Sequence, residues 1–195
     1  MELLFPFDKL YQYVTAIHPL SDESWEAFAA TWQPVSFKRK SVITSAGEVE
    51  KNLYFVVDGI QRGYTIHGEK EATIFFSYPH SFSGIADSFL LQKPSLQFLE
   101  TITTSELIRI SYQSFQRVMN QYPEIQKFIF RASIYAWSGT MERQVELMTF
   151  TAEEKFTTLL KRSPHILNLV PHKYLASYLG IDPTTFSKLL ASVRL

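Results

Sequence analysis

Five histidines are the side chains of this sequence best suited to metal ligation or proton transfer: His18, His67, His80, His165 and His172. They are scattered, and none stands at the spacing of a nucleophile–base pair. His67 and Glu69 lie two apart, as ligands on one face of a strand would. The second histidine of a His-x-His pair, which a cupin-type metal barrel needs, is missing. The chain has no cysteine. That removes disulfides, thiol nucleophiles, zinc knuckles and cysteine-ligated iron–sulfur clusters together. No catalytic residue, no metal site and no cofactor is therefore expected.

A different chemistry is written into residues 175–190, LASYLGIDPTTFSKLL. A helix over His172–Leu179, opened by Pro171, would end at Gly180, which can take the left-handed conformation that closes a helix. Ile181 would plug the corner. Asp182 would cap a second helix, and Pro183 would occupy its first turn, where a missing N–H costs nothing. Ala176 is small where the helices cross, and Leu175, Leu179, Phe186 and Leu189 close the interior. The outward face of the second helix carries Thr184, Thr185, Ser187 and Lys188, short hydrogen-bonding groups and a cation. An ordinary solvated helical hairpin would show a face rich in Glu and Lys instead. The pattern reads as a helix-turn-helix whose second helix can lie in the major groove of double-stranded DNA. Thr184, Thr185 and Lys188 are expected at base edges, with Ser187, His172, Lys173 and Tyr174 near phosphates.

The elements that must position this pair follow from periodicity. Residues 7–17 and 22–31 read as helices separated by Pro19, with Ser21 as cap of the second and Asp22 and Glu23 in its positively polarised first turn. From Pro34 short β-branched and aromatic runs are broken by Gly47, Asp58-Gly59, His67-Gly68 and Thr104-Ser105, the texture of an antiparallel sandwich or barrel. The helical period returns over Tyr112–Gln121 and again from about Glu124 to Met148. On the longer helix Ile125, Phe128, Ile129, Ala132, Tyr135, Ala136 and Gly139 form a wide apolar stripe. It can bury itself against its own barrel, or also pair with a second copy of itself; we expect the latter, a homodimer. Thr151 and Glu154 are spaced as a capping box for a helix ending before Ser163-Pro164.

Apolar residues are 46% of the 195 and aromatics 15%, ample for a packed core. No apolar run approaches the about 20 residues that cross a bilayer. The start, MELLFPFDKLYQY, lacks the basic region of a signal peptide, so a cytoplasmic protein with no membrane partner is expected. The 19 basic and 19 acidic residues cancel. From Thr151 on, however, Lys155, Lys161, Arg162, Lys173, Lys188 and Arg194 outnumber Glu153, Glu154 and Asp182, so the tail carries +3 and residues 1–150 carry −3. The sign suits a DNA-reading tail.

With LYFVVDG, the long helix, TAEEKFTTLLKRSP and VPHKYLASYLGIDPTTFSKLL in view, nearly the whole chain resembles the Crp/Fnr family of bacterial transcription regulators. The last two segments resemble its Bacteroidetes members especially. The resemblance implies an α+β fold: an N-terminal antiparallel β-roll, jelly-roll-like and of cyclic-nucleotide-binding type, a long dimerisation helix, and a C-terminal winged helix-turn-helix. The chain stops at Leu195, directly after the second helix, so the wing is expected to be absent. Residues 1–120 would be the sensor-like β-roll, 121–150 the dimerisation helix and hinge, and 151–195 the DNA-binding domain.

The departures from the family matter as much. Its cyclic-nucleotide binders carry a cassette, Phe-x-Gly-Glu, with an Arg eleven residues after that glycine and then Ser or Thr. The glutamate holds the ribose hydroxyl and the arginine neutralises the phosphate. In FSGIADSFLLQKPSLQF, Phe82 and Gly84 match, but Ile85 replaces the glutamate, Ser95 the arginine and Leu96 the hydroxyl residue. Lys93, two positions off, does not reproduce a bidentate fork. Cyclic AMP binding is not expected, which leaves the pocket to an unidentified small molecule or to none. The oxygen sensors of the family use cysteines, absent here, and a lone His67 or His80 is a poor case for haem. Family members read cytosine with an acid and guanine with an arginine; Thr184 and Lys188 stand at those positions. The rival reading is a ligand-binding β-roll whose C-terminal helices form a protein-interaction module.

Overall fold

The computed structural model describes residues 6–192. Arg194 and the end of the chain, where the wing is expected to be missing, lie outside them. Packing gathers the described residues into two compact units. The first holds those up to Gly63 together with Phe76–Ala136, the second Tyr64–Phe75 together with those from Trp137 on. The division cuts one β-hairpin and one long helix, whereas the sequence suggests boundaries at 120 and 150.

In the first unit α1 (Phe7–Ile17) and α2 (Asp22–Ala29) form as expected. The Ser21 hydroxyl accepts from the Ser24 amide at the start of α2, which ends two residues early, and the Thr31 hydroxyl donates to the Phe28 carbonyl beyond it. The strands are β1 (Gln33–Phe37), β2 (Val42–Thr44), β3 (Asn52–Asp58), β4 (Gln61–His67), β5 (Lys70–Ser77), β6 (Phe82–Ser83), β7 (Phe98–Thr101) and β8 (Ser105–Ser111), with α3 (Ala86–Leu91) between β6 and β7. They form two four-stranded sheets ordered β1-β8-β3-β6 and β2-β7-β4-β5, the antiparallel β-roll expected from the turn spacing. Strand β8 pairs on one side from Gln33↔Arg109 to Phe37↔Ser105 and on the other from Asn52↔Ser111 to Asp58↔Glu106. Gly59, at φ +90°, makes the β3–β4 turn, and a Cβ there would lie 2.4 Å from the Thr104 carbonyl oxygen.

Two further helices complete this unit, α4 (Tyr112–Gln121) and the beginning of α5 (Pro123–Thr149). Phe28, Trp32, Phe55, Phe82 and Phe128 meet edge-on or tilted in an aromatic core. The amide and hydroxyl of Ser21 donate to the Glu124 carboxylate at 2.8 and 2.9 Å, which ties α2 to α5 and holds that carboxyl below its usual range.

The faces of α5 differ from the expected single stripe. Ile125 and Phe128 are fully buried in the core of their own unit, and Ile129 and Ala132 pack against it. Ile125 and Phe128 have no free surface for a second copy and are withdrawn from the pairing stripe, while Ile129 and Ala132 are half-buried. From Ser133 to Glu142, by contrast, every residue is exposed. Phe130, Ile134, Trp137, Met141, Val145 and Met148 are exposed and recur at spacings of four and three, on the side of the helix opposite Phe128. Tyr135, Ala136 and Gly139 are exposed as well, but flank the buried side.

In the second unit the end of α5 is followed by α6 (Ala152–Arg162), α7 (Ile166–Leu169), α8 (His172–Leu179) and α9 (Pro183–Ser192). The capping box forms in full: Thr151 accepts from the Glu154 amide, and the Glu154 carboxylate accepts from the Thr151 amide and hydroxyl, both at 2.8 Å. Phe156, Leu159, Ile166, Val170, Leu175, Leu179 and Phe186 are buried, so this unit has a core of its own. Phe156 meets Phe186 edge-on at 5.4 Å.

Candidate functional site

The terminal helix pair is built as its residues require. Gly180 takes φ +64° and closes α8, while the Ile181 amide reaches back to the Ala176 carbonyl at 3.1 Å, the six-to-one bond that seals a left-handed helix end. The Asp182 carboxylate caps α9, accepting from the Thr185 amide at 2.8 Å and its hydroxyl at 2.5 Å. Those bonds hold the Asp182 carboxyl below its usual range. Ala176 is buried at the crossing, as its size suggests.

The end of α8 is fixed from outside by a set that the sequence reading missed. The Arg143 guanidinium donates to the Tyr178 carbonyl, one of the last acceptors of α8, and lies 4.0 Å over the Tyr178 ring. The buried Glu146 carboxylate takes Arg143 at 3.3 Å and Arg162 at 2.5 Å, joining α5, α6 and α8 of this unit. The i,i+3 pair Arg143–Glu146 is the one part of this set with a sequence signal.

The outward face sorts the expected DNA contacts. Thr184, Ser187 and Lys188 are exposed and Thr185 is half-buried, all on α9. Two of the hydroxyls are already engaged: Thr185 donates to Asp182, and Ser187 to the Pro183 carbonyl at 2.9 Å. Thr184 and Lys188, four residues apart, are thus the side chains most available to base edges. On α8, His172 and Lys173 are exposed, the imidazole lying 5.4 Å from the Phe186 ring. Tyr174 is a correction. It is largely buried in the unit, with the Lys173 ammonium 4.7 Å over its ring, and leaves little surface for a phosphate.

The cassette keeps its backbone and loses its chemistry. Gly84 holds φ +131° and α3 follows at once, but Ile85 is buried. Ser95 is buried too, its hydroxyl donating to the Gln97 carbonyl at 2.8 Å and its backbone bonded to Gly47 and Glu48. Leu96 is 83% exposed and turned away from any interior, and Phe82 belongs to the aromatic core. The amide of Ile85 donates at 3.4 Å to the buried carboxylate of Glu50, which also accepts from Thr44 Oγ1 at 2.7 Å and the Asn52 amide at 3.2 Å. A carboxylate of the chain itself thus faces the cassette turn. Burial, against these bonds, pushes the Glu50 carboxyl up from its usual range. Arg62, a buried arginine on β4, is paired with Glu100 at 2.9 Å. Among the described residues no three His, Asp or Glu side chains stand together as a metal-binding group. No helix among them is long and apolar enough to cross a membrane.

Comparison with known proteins places this architecture. Residues 34–122 match the cyclic nucleotide-binding domain family. No curated protein sequence matches the chain. Among solved structures, FixK2 from Bradyrhizobium japonicum is 17% identical with a TM-score of 0.75, covering 82% of this chain and 83% of its own. The c-di-GMP responsive global regulator CLP of Xanthomonas campestris is 17% identical at TM-score 0.65, over 88% and 90%. The Thermus thermophilus catabolite activator protein is 21% identical at 0.57, over 92% and 89%. Residues 34–122 thus resemble a cyclic nucleotide-binding domain, and with the long helix and terminal helices the chain has the fold of these solved Crp/Fnr-type regulators.

Proposed function

We propose that the chain is a cytoplasmic, dimeric transcription regulator of Crp/Fnr type that reads double-stranded DNA with α9 and does not respond to cyclic AMP. The observation that carries this reading is the α8–α9 pair. It has a left-handed glycine at the corner, a capped second helix, a buried interior and an exposed face holding Thr184 and Lys188. Lys173 and His172 supply phosphate contacts at the start of α8. The second copy is met along Phe130, Ile134, Trp137 and Met141 of α5, on the side opposite Phe128, rather than along the stripe that holds Tyr135, Ala136 and Gly139. The β-roll is an altered sensor. Ile85 and Ser95 offer a ribose and a phosphate nothing charged, and the Glu50 carboxylate beneath the cassette repels an anion. Binding of labelled duplexes at several salt concentrations tests the reading, since phosphate contacts release counterions and make affinity fall steeply with salt. Salt-independent retention, or none, would favour a protein-interaction module.

A further inference from the structure

The β4–β5 hairpin ends in the second unit, and the start of β5, next to its tip, rests on α8. The Thr73 amide donates to Ser177 Oγ at 2.9 Å, and the Ser177 hydroxyl donates to the Glu71 carbonyl at 3.1 Å. β5 is the edge of its sheet, and an edge strand leaves a row of unpaired amides and carbonyls. One hydroxyl on α8 takes one of each, as a neighbouring strand would. Thr73 is buried where they meet. Beside this contact lies a hollow of about 290 Å³ whose walls include Glu71, Lys173, Ile181 and Pro183. Lys173 belongs to the first turn of α8 and Pro183 opens α9. A helix-turn-helix docked in a major groove brings the sugar–phosphate backbone alongside those two first turns. The hairpin therefore lies where a DNA backbone would run, and it brings the exposed Glu71 to the same hollow as the Lys173 that a phosphate would use.

We infer that the hairpin is an autoinhibitory latch: it holds α8 through Ser177 and excludes duplex DNA until it is released. The inference rests on the DNA-reading function proposed above. Only the unlatched fraction of molecules binds, so the apparent affinity is the intrinsic one scaled by that fraction. The hairpin is a continuation of the β-roll strands, and so gives the sensor fold a direct hold on the reader.

Two variants break the same contact from opposite sides. Ser177→Ala removes the hydroxyl. Thr73→Pro removes the amide that bonds Ser177, on an edge strand, where proline is tolerated. Neither residue is among the proposed DNA contacts. Binding of each full-length protein to a labelled duplex, selected from a random pool by the unaltered protein, is measured by fluorescence anisotropy, with thermal melting to verify the fold. Hydrogen exchange at the Thr73 amide is followed in the unaltered protein with and without duplex. Both variants should bind about five- to tenfold more tightly, the scale of one or two net hydrogen bonds, and duplex should speed Thr73 exchange. Unchanged or weaker binding by either folded variant, or Thr73 exchange insensitive to duplex, overturns the latch while leaving DNA reading intact. Absence of duplex binding by all three proteins overturns the DNA-reading proposal and the latch with it.

Discussion

Trp137→Ala should separate two copies of the chain without loosening either one, and Phe128→Ala should do the reverse. Both residues lie on α5, nine apart and on opposite sides. Trp137 is 62% exposed. An aromatic side chain of this class covers about 150–250 Å², so on the order of 150 Å² of Trp137 awaits a cover. At about 25 cal/mol/Å² that is an upper limit of about 4 kcal/mol per copy. Partial coverage makes about 2 kcal/mol per copy a fair expectation, and a two-fold dimer loses it twice. The dissociation constant should then rise about a thousandfold. Phe128 is fully buried against Phe28 and Phe82, so its truncation leaves a cavity and costs about 3–5 kcal/mol of folding stability. Sedimentation equilibrium over a concentration series, paired with denaturant melts, separates the two effects. An unaltered dimer constant for Trp137→Ala, or an unaltered protein that is monomeric throughout, would refute the seam.

Three further outcomes follow from particular contacts. Gly59→Ala should destabilise the β-roll by more than about 2 kcal/mol in denaturant melts, because a Cβ at φ +90° would meet backbone at 2.4 Å. The Asp182 cap is complete above the ordinary carboxylate range and lost as pH falls through the lowered value, so the Thr185 amide resonance should keep its capped shift until well into acid. Calorimetric titration with cyclic AMP should give no heat of binding, since a buried phosphate would meet Ser95 and the Glu50 carboxylate and no guanidinium; micromolar affinity would show that Lys93 or another cation reaches the site.

The terminal helix pair is legible in the sequence because its signals are local: Gly180 for the left-handed end, Asp182 and Pro183 for the start, and apolar residues at helical spacing. The capping box at Thr151 and the strand texture broken by Asp58-Gly59 are local in the same way. The exposed apolar row on α5 is not, because that helix is apolar on more than one side. Periodicity names stripes but not which of them meets a core, and the aromatic cluster that claims Phe128 is assembled from distant strands and helices. Tyr174 fails for a related reason: it neighbours exposed cations in sequence while its ring turns inward. The Glu50 carboxylate beneath Ile85 and the grip of Ser177 on Thr73 and Glu71 join residues 35 and more than 100 positions apart, and no spacing rule reaches them.

The central claim, that α9 reads duplex DNA, is tested most directly at Lys188. Isotherms for the unaltered protein and Lys188→Ala on a selected duplex and an unrelated one, each at three salt concentrations, divide the outcomes. A lysine at a guanine edge predicts a loss of about 1–3 kcal/mol on the selected duplex, with relaxed choice at one base pair. A lysine on a phosphate predicts an equal loss on both duplexes and a salt slope smaller by about one. Either places α9 in the groove. Affinity and slope unchanged on both duplexes would contradict the account and return the C-terminal helices to the role of a protein-interaction module.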